Sequence, residues 1–322
     1  MSAKPRGRFA PSPSGRMHLG NAFSALMAWL SVRSKAGTMI LRMEDLDPAR
    51  SKEHFARSIL DDMAWLGLEW DEGPDKGGAH GPYRQSARRA RHEQCLVRLA
   101  DLGLLYPCYC SRAELHDPAR APHLGQAEPV YPGTCRGLSE QDRAARQASD
   151  RGPALRVKVG PAKLAFTDLV LGRQEQELSQ QCGDFILRRG DGVCAYQLAV
   201  VADDAAQAVS EVVRGADLLS STPRQIYLFQ TLGFAPPNFA HVPLLVDPNG
   251  QRLSKRRQDT DLGRLREMGV TAETIIGYLA WKAGLLDGFR AVSPGELLTG
   301  FHLADMASGP VVVEEDWWRL KA

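Results

Sequence analysis

Arg8 to Pro48 run RFAPSPSGRMHLGNAFSALMAWLSVRSKAGTMILRMEDLDP. Residues 7–10 form a short apolar piece that stops at Pro11. Beyond it Leu19, Ala22 and Phe23, Leu26 and Met27, and Leu30 fall at helical spacing, which predicts a helix to about Lys35 closed by Gly37. TMILRM at 38–43 reads as a strand, and the acidic EDLDP follows it. A strand, a turn, a helix and a strand in that order predict the opening of an α/β fold on a parallel sheet.

Helical patterns recur at 53–66 and 84–103. The texture then changes at 106–165, where Pro and Gly are frequent and three of the six cysteines lie. That stretch reads as an insertion with little regular structure, held by something other than an apolar core. ALRVKVG (154–160) and DFILRRGDGVCAYQLAVVADDA (184–205) read as strands. SSTPRQIYLFQTLG reads as a helix with Thr222 as N-cap and Pro223 at its first position. After LSKRRQ (253–258) the pattern turns mostly helical, and SPGELL (293–298) has the form of a capping box from Ser293 to Glu296.

Composition bounds the partners. A chain of 322 residues has room for one large domain or two modest ones. Its 40 Lys and Arg against 38 Asp and Glu leave a formal charge of +2, so any polyanion site is a local patch rather than a global field. The arginine-dense stretches, 84–92 and 256–258, read on their own as solvated faces. MSAKPRGRFAP lacks the apolar segment of a secretory signal, and no run reaches the length of a membrane span. Six scattered cysteines (95, 108, 110, 135, 182 and 194) fit reduced thiols in a cytoplasm, with metal binding the exception to test.

Two segments carry chemistry. A helix N-terminus offers unpaired N–H groups and the positive end of the helix dipole to a phosphate. At the start of the first helix Pro11, Pro13 and Gly15 shape the approach, His18 can donate to a phosphate oxygen, and Gly20 leaves room for a flat ring. Read alone, HxG is equally a capped helix with a surface histidine. Far along the chain, QRLSKRRQ (251–258) puts Ser254 and Lys255 on a loop after an apolar strand. Lysine is a point charge suited to negative charge that shifts during nucleotidyl transfer.

Together these segments resemble the class I aminoacyl-tRNA synthetases. His18–Asn21 (HLGN) stands at that family's HIGH motif and Arg252–Arg256 (RLSKR) at its KMSKS motif. RFAPSPSG, LRMEDLD, YQLAVVADD and RGADLLSSTPRQ resemble signatures of the glutamate branch, in its order, over most of residues 7–258. Asn21 replaces the last histidine of the first motif. Arg252, Leu253 and Arg256 replace three letters of the second, whereas Ser254 and Lys255 stand.

The resemblance implies a Rossmann-like catalytic domain at 1–105 and 166–258, a zinc-binding insertion at 106–165 and a short helical stem-contact region at 259–322. It places His18 and Lys255 in catalysis, and His18, Gly20, Asn21, Ser254 and Lys255 on ATP, with Mg²⁺. Arg8, Ser12, Glu44, Tyr196 and Arg214 would line the glutamate pocket, the arginines on the carboxylates and Glu44 on the ammonium. Cys108, Cys110 and Cys135 supply three thiolates where zinc wants four ligands. Chemistry alone nominates His116 or His123 as the fourth, whereas the resemblance nominates Tyr131 and one structural zinc per chain.

Only 66 residues follow Arg256, which leaves no room for an anticodon-binding domain. The chain thus resembles the truncated paralogues that activate L-glutamate without tRNA and pass it to the queuosine of tRNA(Asp). The competing expectations are a minimal enzyme charging the 3′ end of tRNA(Glu), a non-catalytic glutamate- or RNA-binding paralogue, and a small-molecule nucleotidyltransferase.

Overall fold

The computed structural model describes residues 4–111, 114, 130–146, 152–161, 163–253, 261–306 and 308–319. The opening unit forms as the pattern predicts: β1 (Arg6–Phe9), α1 (Leu19–Arg33) and β2 (Thr38–Leu41). β1 and β2 pair in parallel from Arg6 opposite Thr38 to Phe9 opposite Leu41. The apolar stripe of α1 is buried on the sheet. Gly7 lets the helix approach, since a Cβ there would stand 2.3 Å from a Val32 methyl.

Next come α2 (Glu53–Trp65), α3 (Arg89–Asp101), β3 (Leu105–Cys108), α4 (Glu140–Arg146), β4 (Ala154–Val157), β5 (Lys163–Asp168) and β6 (Gly172–Glu177). They are followed by α5 (Leu178–Gln181), β7 (Phe185–Arg188), α6 (Tyr196–Ala206), β8 (Glu211–Gly215) and α7 (Thr222–Thr231). The last elements are β9 (Asn238–Val242), β10 (Leu245–Val246), α8 (Leu262–Glu267), α9 (Ala272–Lys282) and β11 (Val311–Val312).

The main sheet runs β2-β1-β8-β9-β5-β6, and its pairings are parallel except β5 with β6. Strand side chains alternate between two cores. Met39, Leu41, Val213 and Ala240 join one, with α1 and the C-terminal residues Tyr278 and Trp317. Ile40, Val212 and Phe239 join the other, with Leu198 and Leu228. Burial on both faces is why these strands read as continuous apolar runs. The C-terminal part is tied to the sheet region: β10 pairs with β11, and Tyr278 stacks on Trp317 at 4.2 Å between centroids.

Three local expectations are corrected. Residues 184–205 are not strand throughout, because only Phe185–Arg188 is extended and Tyr196–Ala206 is helix. An apolar run buried on several sides does not reveal its period. Residues 106–165 contain more regular structure than expected: β3 and β4 form a three-stranded antiparallel sheet with β7. At α7 the N-cap is Ser221, and Pro223 falls one place later than expected, because a 3₁₀ turn over Ala216–Ser221 runs straight into the helix. The Ser293 capping box forms, with the Ser293 N–H donating to Glu296 Oε2 at 2.8 Å.

Candidate active site

In this sheet β1 and β8 are neighbours, yet the chain leaves β1 towards β2 on one side and β8 towards β9 on the other. Open α/β sheets bind ligands in the crevice beyond the strand ends at such a reversal. A cavity of about 780 Å³ lies there, lined by Arg8 from β1, Arg214 from β8 and the N-terminus of α1. Ser12, His18, Gly20, Asn21, Glu44 and Tyr196 line it too, so residues from five segments of the sequence share one space.

The floor is a network of buried charge. Arg8 Nε donates to Asp204 at 3.3 Å. Arg42 Nη1 donates to the same carboxylate at 2.6 Å and to Gln207 at 2.8 Å, and its Nη2 reaches Glu44 at 3.3 Å. Burial pushes the Glu44 carboxyl above its ordinary range, against the pull of Arg42 and Arg8. Arg214 Nη1 donates to Gln225 at 2.8 Å and to the Tyr196 hydroxyl at 3.3 Å, while its Nη2 donates to Thr222 at 2.8 Å. Guanidinium groups with a carboxylate between them suit a small ligand that carries both anionic groups and a cation.

At the other end His18 is the N-cap of α1. Its Nδ1 accepts from the Gly20 N–H at 3.1 Å, and its own N–H donates to Asn21 Oδ1 at 3.2 Å. A Cβ on Gly20 would stand about 3.0 Å from the imidazole, so the glycine makes room for this fold-back. With Nδ1 accepting, the neutral ring carries its proton on Nε2. The two readings of HxG therefore coexist: the histidine caps its helix and lines the cavity.

Ser254 and Lys255 lie outside the described residues. The chain on either side of them is placed. Arg252 and Leu253 line the cavity, and Arg252 pairs with Asp217 at 2.8 Å. On the far side the Leu262 N–H donates to the Met17 carbonyl at 3.0 Å, and Asp261 pairs with Arg16 at 3.6 Å. One end of this basic stretch thus borders the cavity and the other meets the chain just before α1, some 235 positions from His18 in sequence.

Arg42, Asp204, Gln225 and His241 were not singled out from sequence, and Thr222 was named only as a helix cap. A signal existed for two of them. An arginine inside the apolar TMILRM and a pair of acids ending an apolar helix need partners if buried. Each found the other across 162 positions.

A second cluster lies in the small sheet. The sulfurs of Cys108, Cys110 and Cys135 are within 4.8 Å of one another. The Tyr131 hydroxyl is 3.4 Å from Cys108 Sγ and 3.6 Å from Cys110 Sγ, and Cys110 and Cys135 are 3.6 Å apart. Tetrahedral zinc with ordinary bond lengths sets S···O edges of about 3.5 Å and S···S edges of about 3.8 Å. Those three edges match such a tetrahedron, and the three sulfurs are close enough together to share one metal ion. Arg156 Nε lies 3.2 Å from Cys108 Sγ, and its guanidinium sits 3.7 Å above the Tyr131 ring, a cation placed to stabilise thiolate. His116 and His123 lie outside the described residues. Cys95 and Cys182 are buried, whereas Cys194 lines the cavity.

Residues 4–290 match tRNA synthetases class I (E and Q), catalytic domain. A glutamyl-Q tRNA(Asp) synthetase of Symbiobacterium thermophilum is 51% identical over 306 residues, covering 95% of this chain and 94% of that protein. One from Nitratidesulfovibrio vulgaris is 48% identical, covering 97% and 96%. Among solved structures, a glutamate tRNA ligase of Elizabethkingia meningosepticum in complex with its amino acid superimposes with a TM-score of 0.83 at 27% identity, over 98% of this chain and 68% of that one. No helix among the described residues is long and apolar enough to cross a membrane. The chain belongs to the class I tRNA synthetases of the E and Q type and, within them, to the glutamyl-Q tRNA(Asp) synthetases.

Proposed function

We propose that the chain activates L-glutamate with ATP, without tRNA, and transfers it to the queuosine at the first anticodon position of tRNA(Asp). The observation that carries this reading is the convergence of Arg8, Glu44, Arg214 and the His18 cap on one cavity at the sheet reversal. Near full-length likeness to relatives bearing that activity in their names supports it.

In the first step an α-carboxylate oxygen of glutamate attacks the α-phosphorus of ATP, and pyrophosphate leaves. No side chain forms a bond. Arg8, Ser12 and Tyr196 with Arg214 hold the carboxylates, Glu44 takes the ammonium, and His18, Gly20, Asn21, Ser254 and Lys255 hold the nucleotide. Their contribution is positioning and charge stabilisation. Mg²⁺ bound with ATP would supply charge neutralisation for the departing phosphates. A hydroxyl of the queuosine cyclopentenediol then attacks the adenylate carbonyl and AMP leaves.

The Cys108, Cys110, Tyr131 and Cys135 set takes structural zinc in this reading, within an insertion at 106–165. Residues 259–322 contact the RNA stem. The place of work is the cytoplasm, where thiols stay reduced.

The test is glutamate transfer to tRNA(Asp) with and without queuosine, with tRNA(Glu) as control, alongside ATP–pyrophosphate exchange lacking tRNA. Glutamate found on the 3′ end of tRNA(Glu), or exchange that needs tRNA, would overturn the reading in favour of a minimal charging enzyme.

A further inference from the structure

His241, on β9, is fully buried, and the reaction as described does not use it. Its two ring nitrogens have definite partners. Nδ1 lies 2.6 Å from Asp168 Oδ2. Nε2 lies 3.1 Å from Arg214 Nε and 3.0 Å from the Thr222 hydroxyl. Arginine has no acceptor, so Nε2 must accept from Arg214, and the ring must carry its proton on Nδ1. The Asp168 carboxylate receives that proton's hydrogen bond. Burial, together with the facing charges of Arg214 and Arg8, outweighs the pull of Asp168 and keeps the imidazole neutral, as this geometry requires.

Asp168 is itself held. Its Oδ1 accepts from the backbone N–H groups of His241 at 3.1 Å, Val170 at 3.0 Å and Leu171 at 2.9 Å. These three donors, with His241, keep the carboxyl below its ordinary range although burial pushes it up. Asp168 stands at the end of β5, His241 on β9 and Arg214 on β8, so the line of contacts runs across three adjacent strands towards the cavity.

We propose that Asp168 and His241 are positioning residues: the carboxylate fixes the histidine tautomer, and the histidine then holds the Arg214 guanidinium in the orientation that receives a substrate carboxylate. The inference rests on the assignment of Arg214 to glutamate. Its closest general parallel is the carboxylate that sets a histidine tautomer in hydrolytic triads, here with an arginine in the third place.

Asp168→Asn tests it. The three backbone donors require the asparagine oxygen at the Oδ1 place, so its NH₂ faces His241 Nδ1 and donates to it. The histidine proton is then forced onto Nε2, where it confronts the Arg214 N–H. In ATP–pyrophosphate exchange on the whole chain, with glutamate and ATP varied separately, the glutamate KM should rise at least about tenfold. The saturating rate and the ATP KM should stay within about threefold. His241→Gln offers an amide oxygen to Arg214 and has no tautomer to lose. The double variant Asp168→Asn/His241→Gln should therefore restore a glutamate KM within about threefold of the parent. A merely structural role predicts no such rescue.

An unchanged glutamate KM in folded Asp168→Asn, while Arg214→Lys raises it, overturns the relay and leaves the substrate assignment standing. If Arg214→Lys also leaves the glutamate KM unchanged, the assignment falls and the relay with it. Nitrogen-15 spectra of the parent protein read the His241 tautomer directly, and a proton found on Nε2 refutes the proposal even where Asp168→Asn does not fold.

Discussion

Asp204→Asn isolates the charge on which the cavity floor depends. The Asp204 side chain is 1% exposed, Arg42 0% and Arg8 5%. Its carboxylate is shared by Arg42 at 2.6 Å and Arg8 at 3.3 Å. The two guanidinium groups face Asp204 and Glu44, and Asp203 adds a weaker attraction on Arg42. Asparagine keeps the shape and removes one negative charge, leaving Glu44 opposite both arginines. At an effective dielectric of about 20, each pair at roughly 4 Å is worth about 4 kcal/mol of attraction. Breaking buried pairs in proteins costs about 3–5 kcal/mol, because an uncompensated charge remains. At roughly 2 °C per kcal/mol for a chain of this size, the melting temperature should fall by about 6–10 °C.

The site should suffer as well. Glu44 is drawn towards the unbalanced arginines and away from a ligand ammonium, and Arg8 loses its anchor. A loss of about 1.4 kcal/mol in binding is already tenfold in affinity, so the glutamate KM should rise by at least that factor. Thermal unfolding followed by circular dichroism and exchange kinetics at varied glutamate read the two effects. A melting temperature within about 2 °C of the parent with an unchanged glutamate KM would refute the buried-charge argument.

Three further outcomes are expected. Metal analysis of the purified chain should find one zinc, and Cys135→Ser should lose it together with stability, since a structural ion contributes folding energy; a folded, metal-free native protein refutes the centre. Glutamate affinity should depend on pH through Glu44, whose free-state carboxyl titrates above its ordinary range because of burial. A bound ammonium favours the ionised form, so binding releases a proton, and the glutamate KM should climb about tenfold per unit as pH falls below that raised value. A pH profile that is the same in the parent and in Glu44→Gln removes Glu44 from that role. Lys255→Ala should slow exchange by about a hundredfold with the fold intact, the usual scale for removing one charge-stabilising group; near-parental exchange argues against its place on the phosphates.

Much of the site is legible in sequence because it is local. The His18 cap, Gly20 and Asn21 occupy one helical turn, and their geometry follows from adjacent residues. CYC and the later YPGTC carry Cys108, Cys110, Tyr131 and Cys135, which the fold brings within contact of one another. The residues that stayed invisible are the partners. Nothing adjacent to Arg42 names Asp204, and nothing in FAHVPL shows that its histidine is wedged between an aspartate 73 positions earlier and an arginine 27 positions earlier.

Hydrophobic period, turn chemistry and cap residues act over a few residues, so the amino-acid order alone determined the first strand–helix–strand unit, the phosphate-suited helix start and the thiol cluster. Strand order is a different matter. Whether β8 lies beside β1, and β9 between β8 and β5, depends on which apolar faces bury one another across the whole chain. That choice puts Arg8, Arg42 and Asp204 at one floor and Asp168, His241 and Arg214 in one line. Charges buried at such distances in sequence are tolerated because the assembled sheet brings each its counterpart, and only the tertiary structure says which.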